Sequence, residues 1–412
     1  MAEQANSKVP KIRFKGFVGE WEEKTLGEIY SERNERGNNS LQILSVSIHS
    51  GVSNGELDDQ TLGKQVRRSE DKSLYKHVYT GDVVLNMMRA WQGGIGVATV
   101  EGMVSPAYIT AIPGNSIYPI FMNANLRRSQ IVAQMDSLSY GVTYFRKRLY
   151  WDSFIRVELH IPSVPEQNKI AVHFSHLDSL ISLQQRKQDK LVTLKKAMLH
   201  AMFPQPGTTT PEIRFKGFEG AWVEKTLGEL MPITSAARVH KNEWTRSGVP
   251  FFRTSDVVSR FKGEENERAF ISRELYEELS GKIGRIKRGD ILITGGGSIG
   301  IPFLANSDEP LYFKDADLLW LKVPESVDST FLYVFLTSES FRKYLKNISH
   351  IGTIAHYTVE QAKSTPITMP PLTEQQKIGT YFRTLDELIS KHALQIVKLK
   401  QLKTACLERM FV

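Results

Sequence analysis

The stretch IRFKGFVGEWEEKTLGEI, from Ile12 to Ile29, occurs a second time as IRFKGFEGAWVEKTLGEL, from Ile213 to Leu230. Direct comparison of the two stretches gives 14 identities in 18 positions. A repeat at this spacing indicates two copies of one structural unit, and a chain of 412 residues is long enough for two or three domains. We therefore expect two similar halves.

A second repeat closes each half. Residues 166–203, which begin EQNKIAVHFSHLDSLIS, match residues 374–411, which begin EQQKIGTYFRTLDELIS, at 18 of 38 positions. The long middle segments match poorly, apart from Gly81-Asp82 and Gly289-Asp290, each of which resembles a turn that leads into a buried strand. The sequence therefore predicts the same order twice: a constant opening, a divergent middle and a constant helix.

The closing repeats are predicted to be long helices. Ser163 with Glu166, and Thr373 with Gln376, have the spacing of a capping box. Apolar residues then recur at heptad spacing and predict a seam, whose polar middle leaves open whether that part is paired or solvated. The predicted seam residues are Leu177, Leu180, Leu191, Leu194, Met198, Leu385, Leu388, Leu399, Leu402 and Cys406.

The predicted fold class is α+β: two similar mixed α/β domains joined by two long antiparallel, coiled-coil-like helices, with a pseudo-two-fold internal repeat. A helix of about 38 residues spans ~57 Å, whereas an eight-residue linker reaches at most ~28 Å, so the second domain should begin near the far end of the first helix. The predicted boundaries are 1–160 for the first globular domain, 161–204 for the first helix, 205–212 for the linker, 213–366 for the second globular domain and 367–412 for the second helix.

The composition limits the setting and the type of partner. The net charge of +8 and the pI near 9.2 favour a polyanion such as nucleic acid or an anionic membrane, although a merely basic soluble protein has the same charge. The single cysteine, Cys406, excludes an internal disulfide, and no apolar run approaches the ~18 residues that span a bilayer. We expect a soluble cytoplasmic protein that does not span a membrane.

The sequence contains no visible catalytic constellation. A Walker A loop is absent, and GGGSIG at 295–300 leads into Ile301-Pro302 and not into a helix, so a tight turn is the better interpretation. MPPL at 369–372 lacks the acidic or amide residue that similar loops of amino-methyltransferases carry. His173 and His176 lie one helical turn apart without further ligands. We predict neither catalytic residues nor a metal site.

Basic and aromatic residues cluster in both divergent middles. Arginine and glutamine can pair with guanine and adenine edges in the major groove, and basic side chains contact phosphates; ordinary packing or solvation stays open as the alternative for each residue. In the first middle the predicted DNA-binding residues are Lys64, Arg67, Arg89, Trp91, Gln92, Tyr144, Arg146, Lys147 and Arg148. In the second middle they are Arg238, Lys241, Arg246, Arg253, Ser255, Lys282, Arg285, Thr294, Ser298, His356 and Tyr357. Two related but different sets predict a target with two unlike parts.

The whole pattern resembles the specificity subunit of type I restriction-modification systems. The resemblance rests on the paired IRFKGF…W…KTLGE openings, the Gly-Asp strands, and the helix starts PSVPEQNKI and PPLTEQQKI, and it covers nearly the whole chain twice in the same order. The divergent middles are similar to the two target-recognition domains of that family. The repeated helices are similar to its spacer regions.

This resemblance implies a protein that performs no chemistry itself. Each target-recognition domain would read one half of a split double-stranded DNA site, and the helices would set the gap and hold two modification subunits, which methylate adenine N6. Two restriction subunits would complete the complex. S-adenosylmethionine, ATP and Mg²⁺ would be used through these partners, with no cofactor bound by this chain. The alternatives are a stand-alone DNA-binding scaffold and a DNA nuclease or methyltransferase in its own right.

Overall fold

The chain divides into two compact units. The computed structural model describes residues 8–55, 72–141, 143, 146–205, 207–348 and 356–412. Unit 1 comprises Met1–Gln184 together with Leu394–Val412, and unit 2 comprises Gln185–Ala393. The two long helices of the repeat therefore each contribute residues to both units.

Unit 1 combines short strands with short helices and the start of a long helix. Its strands are β1 (Glu22–Thr25), β2 (Tyr30–Glu32), β3 (Val46–Ser47), β4 (Gly51–Val52), β5 (Lys76–Val78), β6 (Val83–Asn86), β7 (Ile95–Val97), β8 (Gly102–Val104), β9 (Tyr108–Pro113) and β10 (Glu158–Ile161). Its helices are α1 (Leu26–Ile29), α2 (Pro119–Asn125), α3 (Ser129–Leu138), α4 (Trp151–Phe154) and the first part of α5 (Val164–Ala201), with a 3-10 turn at Ala90–Gln92.

Unit 2 has a similar content. Its strands are β11 (Val223–Thr226), β12 (Ile233–Ser235), β13 (Trp244–Thr245), β14 (Val249–Phe252), β15 (Ala269–Ile271), β16 (Ile291–Thr294), β17 (Pro302–Leu304), β18 (Tyr312–Phe313), β19 (Leu318–Leu321) and β20 (Pro366–Met369). Its helices are α6 (Leu227–Leu230), α7 (Thr254–Lys262), α8 (Arg273–Ile283), α9 (Ser329–Thr337), α10 (Glu339–Ile348), α11 (Val359–Lys363) and the first part of α12 (Leu372–Arg409), with a 3-10 turn at Lys241–Glu243.

Both units share one sheet topology. The four-stranded sheet has the order β2-β9-β6-β7 in unit 1 and β12-β19-β16-β17 in unit 2. Strands β6 and β16 follow the two Gly-Asp turns, in which Asp82 accepts a hydrogen bond from the Tyr79 amide at 2.8 Å and Asp290 one from the Lys287 amide at 2.9 Å. The weak sequence similarity at these turns therefore marks equivalent strands.

The sheets built from the rest of the divergent middle segments differ between the units. Unit 1 has two-stranded sheets, β3-β4 and β5-β8, whereas unit 2 has the sheet β13-β15-β14-β18, in which β14 and β18 are parallel. These sheets lie in the divergent middle segments. The predicted fold class, α+β with two similar mixed α/β domains and two long helices, is confirmed, and the two domains differ in these additional sheets.

The opening repeat and the start of each long helix form one structural joint. Arg13 donates two hydrogen bonds of 2.7 Å to the buried Glu166 carboxylate, and Arg214 binds Glu374 in the same way at 2.6 and 2.7 Å. Strand β1 pairs with β10 beside the first joint, and β11 pairs with β20 beside the second. The two repeated motifs are therefore parts of one feature, which explains why they recur together.

The predicted helix caps need correction. The Glu166 carboxylate accepts hydrogen bonds from Arg13, so it does not bind the backbone amide of Ser163 as a capping box requires. The Glu166 amide donates to the backbone oxygen of Ser163 at 2.9 Å. Thr373 lies inside the second long helix, because that helix begins at Leu372 and the Pro371 oxygen accepts its first amide bonds. A bidentate buried ion pair thus takes the place of a capping box at the first helix start.

The two long helices run antiparallel within each unit. In unit 1, Phe174 of α5 contacts Phe411, which follows α12, and Asp178 binds Lys403. In unit 2, Phe203, which follows α5, contacts Phe382 of α12, and the pair is Lys195 with Asp386. Because positions in the second helix repeat are numbered 208 higher, the contacts in one unit are the equivalents of those in the other.

The structure places part of the helix seam one residue later than predicted. Leu177 and Leu385 are 5% exposed, and Leu191, Met198, Leu399 and Cys406 are half-buried. Four predicted seam residues are exposed, at 42, 40, 38 and 49% for Leu180, Leu194, Leu388 and Leu402. Ile181, Lys195, Ile389 and Lys403 are half-buried in their place. Adjacent apolar residues such as Leu180 and Ile181 fit a heptad pattern almost equally well, and a lysine stem can cover apolar surface.

Candidate DNA-recognition surfaces

The two sequence motifs with the most distinctive side chains occupy the same place in the two units. Residues 87–94, hairpin loop 1, connect β6 to β7, and residues 295–301, hairpin loop 2, connect β16 to β17. MMRAWQGG thus fills in unit 1 the position that GGGSIGI fills in unit 2. The two loops differ completely in side-chain chemistry, although the sheets that carry them have the same order.

A second segment packs against each loop in an equivalent manner. The Leu149 amide donates to the Met87 oxygen at 3.0 Å in unit 1, and the Tyr357 amide donates to the Gly295 oxygen at 2.8 Å in unit 2. The structure therefore brings hairpin loop 1 together with the basic strip at 146–148, and hairpin loop 2 together with His356 and Tyr357. We define these two combinations as recognition surface 1 and recognition surface 2.

Hairpin loop 1 is a tight turn that exposes two polar side chains. Arg89 and Gln92 are exposed, and the Arg89 guanidinium donates to the Gln92 side-chain oxygen at 2.7 Å. A Cβ atom at Gly94 would lie 2.8 Å from the Arg89 oxygen, so the turn requires glycine at that position. Trp91 is half-buried, and its indole N–H donates to the Met88 oxygen at 3.0 Å. The loop therefore presents Arg89 and Gln92 from a supported backbone.

The basic strip of recognition surface 1 contains two different environments. Arg146 and Arg148 are exposed, as a phosphate-binding role requires. Lys147 is 7% exposed and binds Asp136 of α3, and its ammonium group lies 4.7 Å from the centre of the Trp91 ring. The predicted residues Lys64, Arg67 and Tyr144 lie outside the described residues.

At most glycine positions of hairpin loop 2, close neighbours leave no space for a side chain. A Cβ atom at Gly295 would lie 2.7 Å from the Tyr357 oxygen, one at Gly296 2.8 Å from the Asp317 carboxylate, and one at Gly300 2.0 Å from Leu345. Gly297 is exposed, has a φ of +69°, and meets nothing closer than Thr254 at 3.7 Å. The part of the loop with room for a ligand is therefore at Gly297 and Ser298.

The polar residues around hairpin loop 2 divide into a buried and an exposed group. Thr294 is fully buried, where its hydroxyl donates to the Ser298 oxygen and accepts from the Ile301 amide. Tyr357 is also buried, and burial raises the pKa of its phenol. Ser298 and His356 are exposed. Thr294 and Tyr357 therefore hold the shape of the loop, whereas Ser298 and His356 face solvent.

A further basic group in unit 2 surrounds the start of α7. Arg253 donates to Asp256 at 2.8 Å, and this hydrogen bond raises the pKa of the Arg253 guanidinium, which also lies 5.6 Å from the Trp244 ring. Ser255 is exposed and accepts a hydrogen bond from Asn266 at 3.1 Å. Three further predicted residues are exposed on the preceding segment: Arg238, Lys241 and Arg246.

Two predicted residues on or beside α8 are engaged in surface ion pairs. Lys282 binds Glu278 at 2.8 Å, and Arg285 binds Glu277. All four side chains are at least 42% exposed, so these pairs contribute little to stability and can be exchanged for phosphate contacts. DNA binding by Lys282 and Arg285 stays a prediction.

Sequence reasoning missed Arg260. The guanidinium of this exposed residue in the last turn of α7 lies 4.8 Å from the Phe252 ring and 5.6 Å from the Phe303 ring. Two aromatic rings thus lie within cation–π distance of an exposed guanidinium, which suits contact with an anion or a base. The sequence around Arg260 does not predict this arrangement, because the Phe303 ring comes from β17, which is distant in sequence.

Comparisons with known proteins agree on one family. Residues 219–401 match the family model described as type I restriction modification DNA specificity domain. The MjaVIII type I restriction enzyme specificity subunit of Methanocaldococcus jannaschii is 25% identical over 366 residues, which cover 82% of this chain and 83% of that protein. A Haemophilus influenzae type I restriction enzyme specificity subunit is 31% identical over 170 residues, which cover 40% of this chain and 41% of that protein.

Solved structures show the same fold. The S subunit of a type I restriction-modification system from M. genitalium has a TM-score of 0.55 at 14% identity, over 98% of this chain and 99% of that chain. A chain from a structure of type I R-M complex assembly has a TM-score of 0.52 at 19% identity, over 94% of this chain and 96% of that chain.

Within the described residues, no group of side chains is arranged to hold a metal ion, and no helix is long and apolar enough to cross a bilayer.

Proposed function

The chain belongs to the specificity subunits of type I restriction-modification systems, and we propose that each of its units reads one half of a bipartite DNA site. Within units 1 and 2, the reading domains are residues 1–160 and 213–366, respectively. In this proposal the chain performs no chemistry. Two modification subunits methylate adenine with S-adenosylmethionine, and two restriction subunits use ATP and Mg²⁺.

The observation that carries this proposal is the equivalence of hairpin loops 1 and 2. Loop 1 presents Arg89 and Gln92, whose side chains suit guanine and adenine edges, whereas loop 2 presents Gly297 and the short Ser298. Exposed arginines beside loop 1 suit phosphates, which supply affinity but no sequence choice. Equivalent frames with different loops are what two unlike half-sites require.

The long helices support a second part of the proposal, the setting of the gap and the docking of partners. Leu180 and Leu388 occupy equivalent positions and are 42 and 38% exposed; Leu194 and Leu402 are likewise equivalent, at 40 and 49%. Exposed apolar side chains that recur in both repeats suit a partner that binds twice in the same way. We assign these leucines to the contact with the two modification subunits.

Co-expression with the modification subunit, followed by methylome sequencing, tests the proposal. We expect adenine methylation at one split motif, and the pure chain incubated with DNA and Mg²⁺ or the methyl donor should neither cleave nor methylate. A stable complex without methylation at any split motif would contradict the proposal and favour the scaffold alternative. Activity of the pure chain would favour an enzyme of its own.

A heptad insertion tests the gap-setting role. Seven residues added after Gln188 and seven after the equivalent Ile396 keep the seam in phase. They lengthen each helix by about 10 Å, which corresponds to roughly three base pairs. The expected motif has the same half-sites and a longer gap. Altered half-site bases with an unchanged gap would contradict this role.

A further inference from the structure

Lys147 lies in the middle of the most basic strip of unit 1, yet its charge faces the protein. Its side chain is 8% exposed and forms an ion pair with Asp136 of α3. The neighbouring Arg146 and Arg148 are exposed. A phosphate contact by Lys147 would require its buried ammonium group to leave Asp136, whose side chain is 36% exposed, and would leave that carboxylate without its cation.

The same ammonium group supports hairpin loop 1. It lies 4.7 Å from the centre of the Trp91 ring, a distance typical of a cation–π contact. The Trp91 indole in turn holds the Met88 oxygen at 3.0 Å, and Trp91 lies between the exposed residues Arg89 and Gln92 in the turn. Asp136, Lys147 and Trp91 thus connect α3 to the backbone that presents the two candidate base-reading side chains.

We propose that Lys147 is a positioning residue, which sets the base preference of the first half-site through Trp91 and makes no contact with DNA. This inference rests on the proposed function of unit 1. Bidentate recognition of a base requires a side chain held in one geometry, because a displaced guanidinium loses the paired hydrogen bonds that discriminate between bases. A phosphate contact, in contrast, affects all sequences alike and changes the salt dependence.

The test compares Lys147→Met with Arg148→Gln, its exposed neighbour, in the full complex with the modification subunit. Affinity for the split site and for single-base variants is measured across a salt series, and the methylome is sequenced. For Lys147→Met we expect an unchanged salt slope and a loss of roughly fivefold or more in discrimination at the first half-site. For Arg148→Gln we expect a slope smaller by about 1 with unchanged base preference.

Two further variants keep the result interpretable if Lys147→Met does not fold. Asp136→Asn releases the ammonium group and should also relax the first half-site, whereas Lys147→Arg keeps both the ion pair and the ring contact and should behave as wild type. A smaller salt slope with intact base preference in Lys147→Met or Asp136→Asn would overturn the inference. Intact preference with an unchanged slope would overturn it as well.

The second half-site separates this inference from the proposed function. Its base preference should stay constant in every variant, because the altered residues belong to unit 1. If the wild-type complex methylates no split motif, the proposed function fails. If the wild type is active and Lys147→Met leaves both half-sites unchanged, the positioning role alone fails.

Discussion

Replacement of Phe411 by alanine should destabilise unit 1 and leave unit 2 intact. Phe411 follows the second long helix and is 4% exposed. Its ring centre lies 6.0 Å from that of Trp21, 5.4 Å from Phe121 and 5.8 Å from Phe174. One side chain therefore joins the opening repeat, the divergent middle and the first long helix into a single core.

The size of the effect follows from this packing. Truncation of a buried phenylalanine to alanine costs about 3–5 kcal/mol through lost burial and the remaining cavity. Each 1.4 kcal/mol is a tenfold change in an equilibrium constant, so protection against amide exchange in unit 1 should fall by roughly two to four orders of magnitude. The Arg128 guanidinium, 5.0 Å from the Phe411 ring, also loses its aromatic contact.

Hydrogen exchange measured by mass spectrometry provides the assay, and Phe203→Ala provides the matched control. Phe203 occupies the equivalent position in unit 2, with ring centres 6.1 Å from Trp222 and 5.5 Å from Phe331. Phe411→Ala should raise exchange in peptides from 21–161, and Phe203→Ala in peptides from 222–369. Equal loss in both units from either substitution, or no loss in either unit, would refute the reasoning.

Three further predictions concern ion pairs and base reading. Arg214→Met leaves the buried Glu374 carboxylate unpaired and should lower the free energy of unfolding in urea by about 3–5 kcal/mol. Glu374→Leu in the same chain should restore most of this loss, and no recovery would contradict the ion-pair account. Asp386→Asn removes the ion pair with Lys195, in which the Asp386 and Lys195 side chains are 43 and 25% exposed. Its cost in urea unfolding should therefore stay below about 1 kcal/mol, and a larger loss would contradict the account of this pair as a solvent-exposed one. Arg89→Lys should lower discrimination at one base pair of the first half-site by about 1–3 kcal/mol in competition binding, with the second half-site as the internal control; unchanged discrimination would exclude Arg89 as a reader.

Only part of the candidate sites could be predicted from the sequence. MMRAWQGG and GGGSIG are unusual stretches of the sequence, but their equivalence could not be predicted, because the two loops share almost no residues. The equivalence depends on sheet order and on the backbone bonds from Leu149 and Tyr357 to hairpin loops 1 and 2. Arg260 was not predicted as a candidate for a similar reason, because the fold brings the Phe252 and Phe303 rings next to its guanidinium.

The sequence by itself determined the double frame. The near-identical openings and the helices, which match at 18 of 38 positions, fold alike because the side chains that they share meet the same neighbours. Arg13–Glu166 and Arg214–Glu374 are the same contact made twice. The tertiary structure decided which of two adjacent apolar residues, such as Leu180 and Ile181, is exposed. It also decided that Lys147 faces Asp136 while Arg148 faces solvent. Those outcomes depend on side chains brought in from distant segments, which local pattern and charge do not specify.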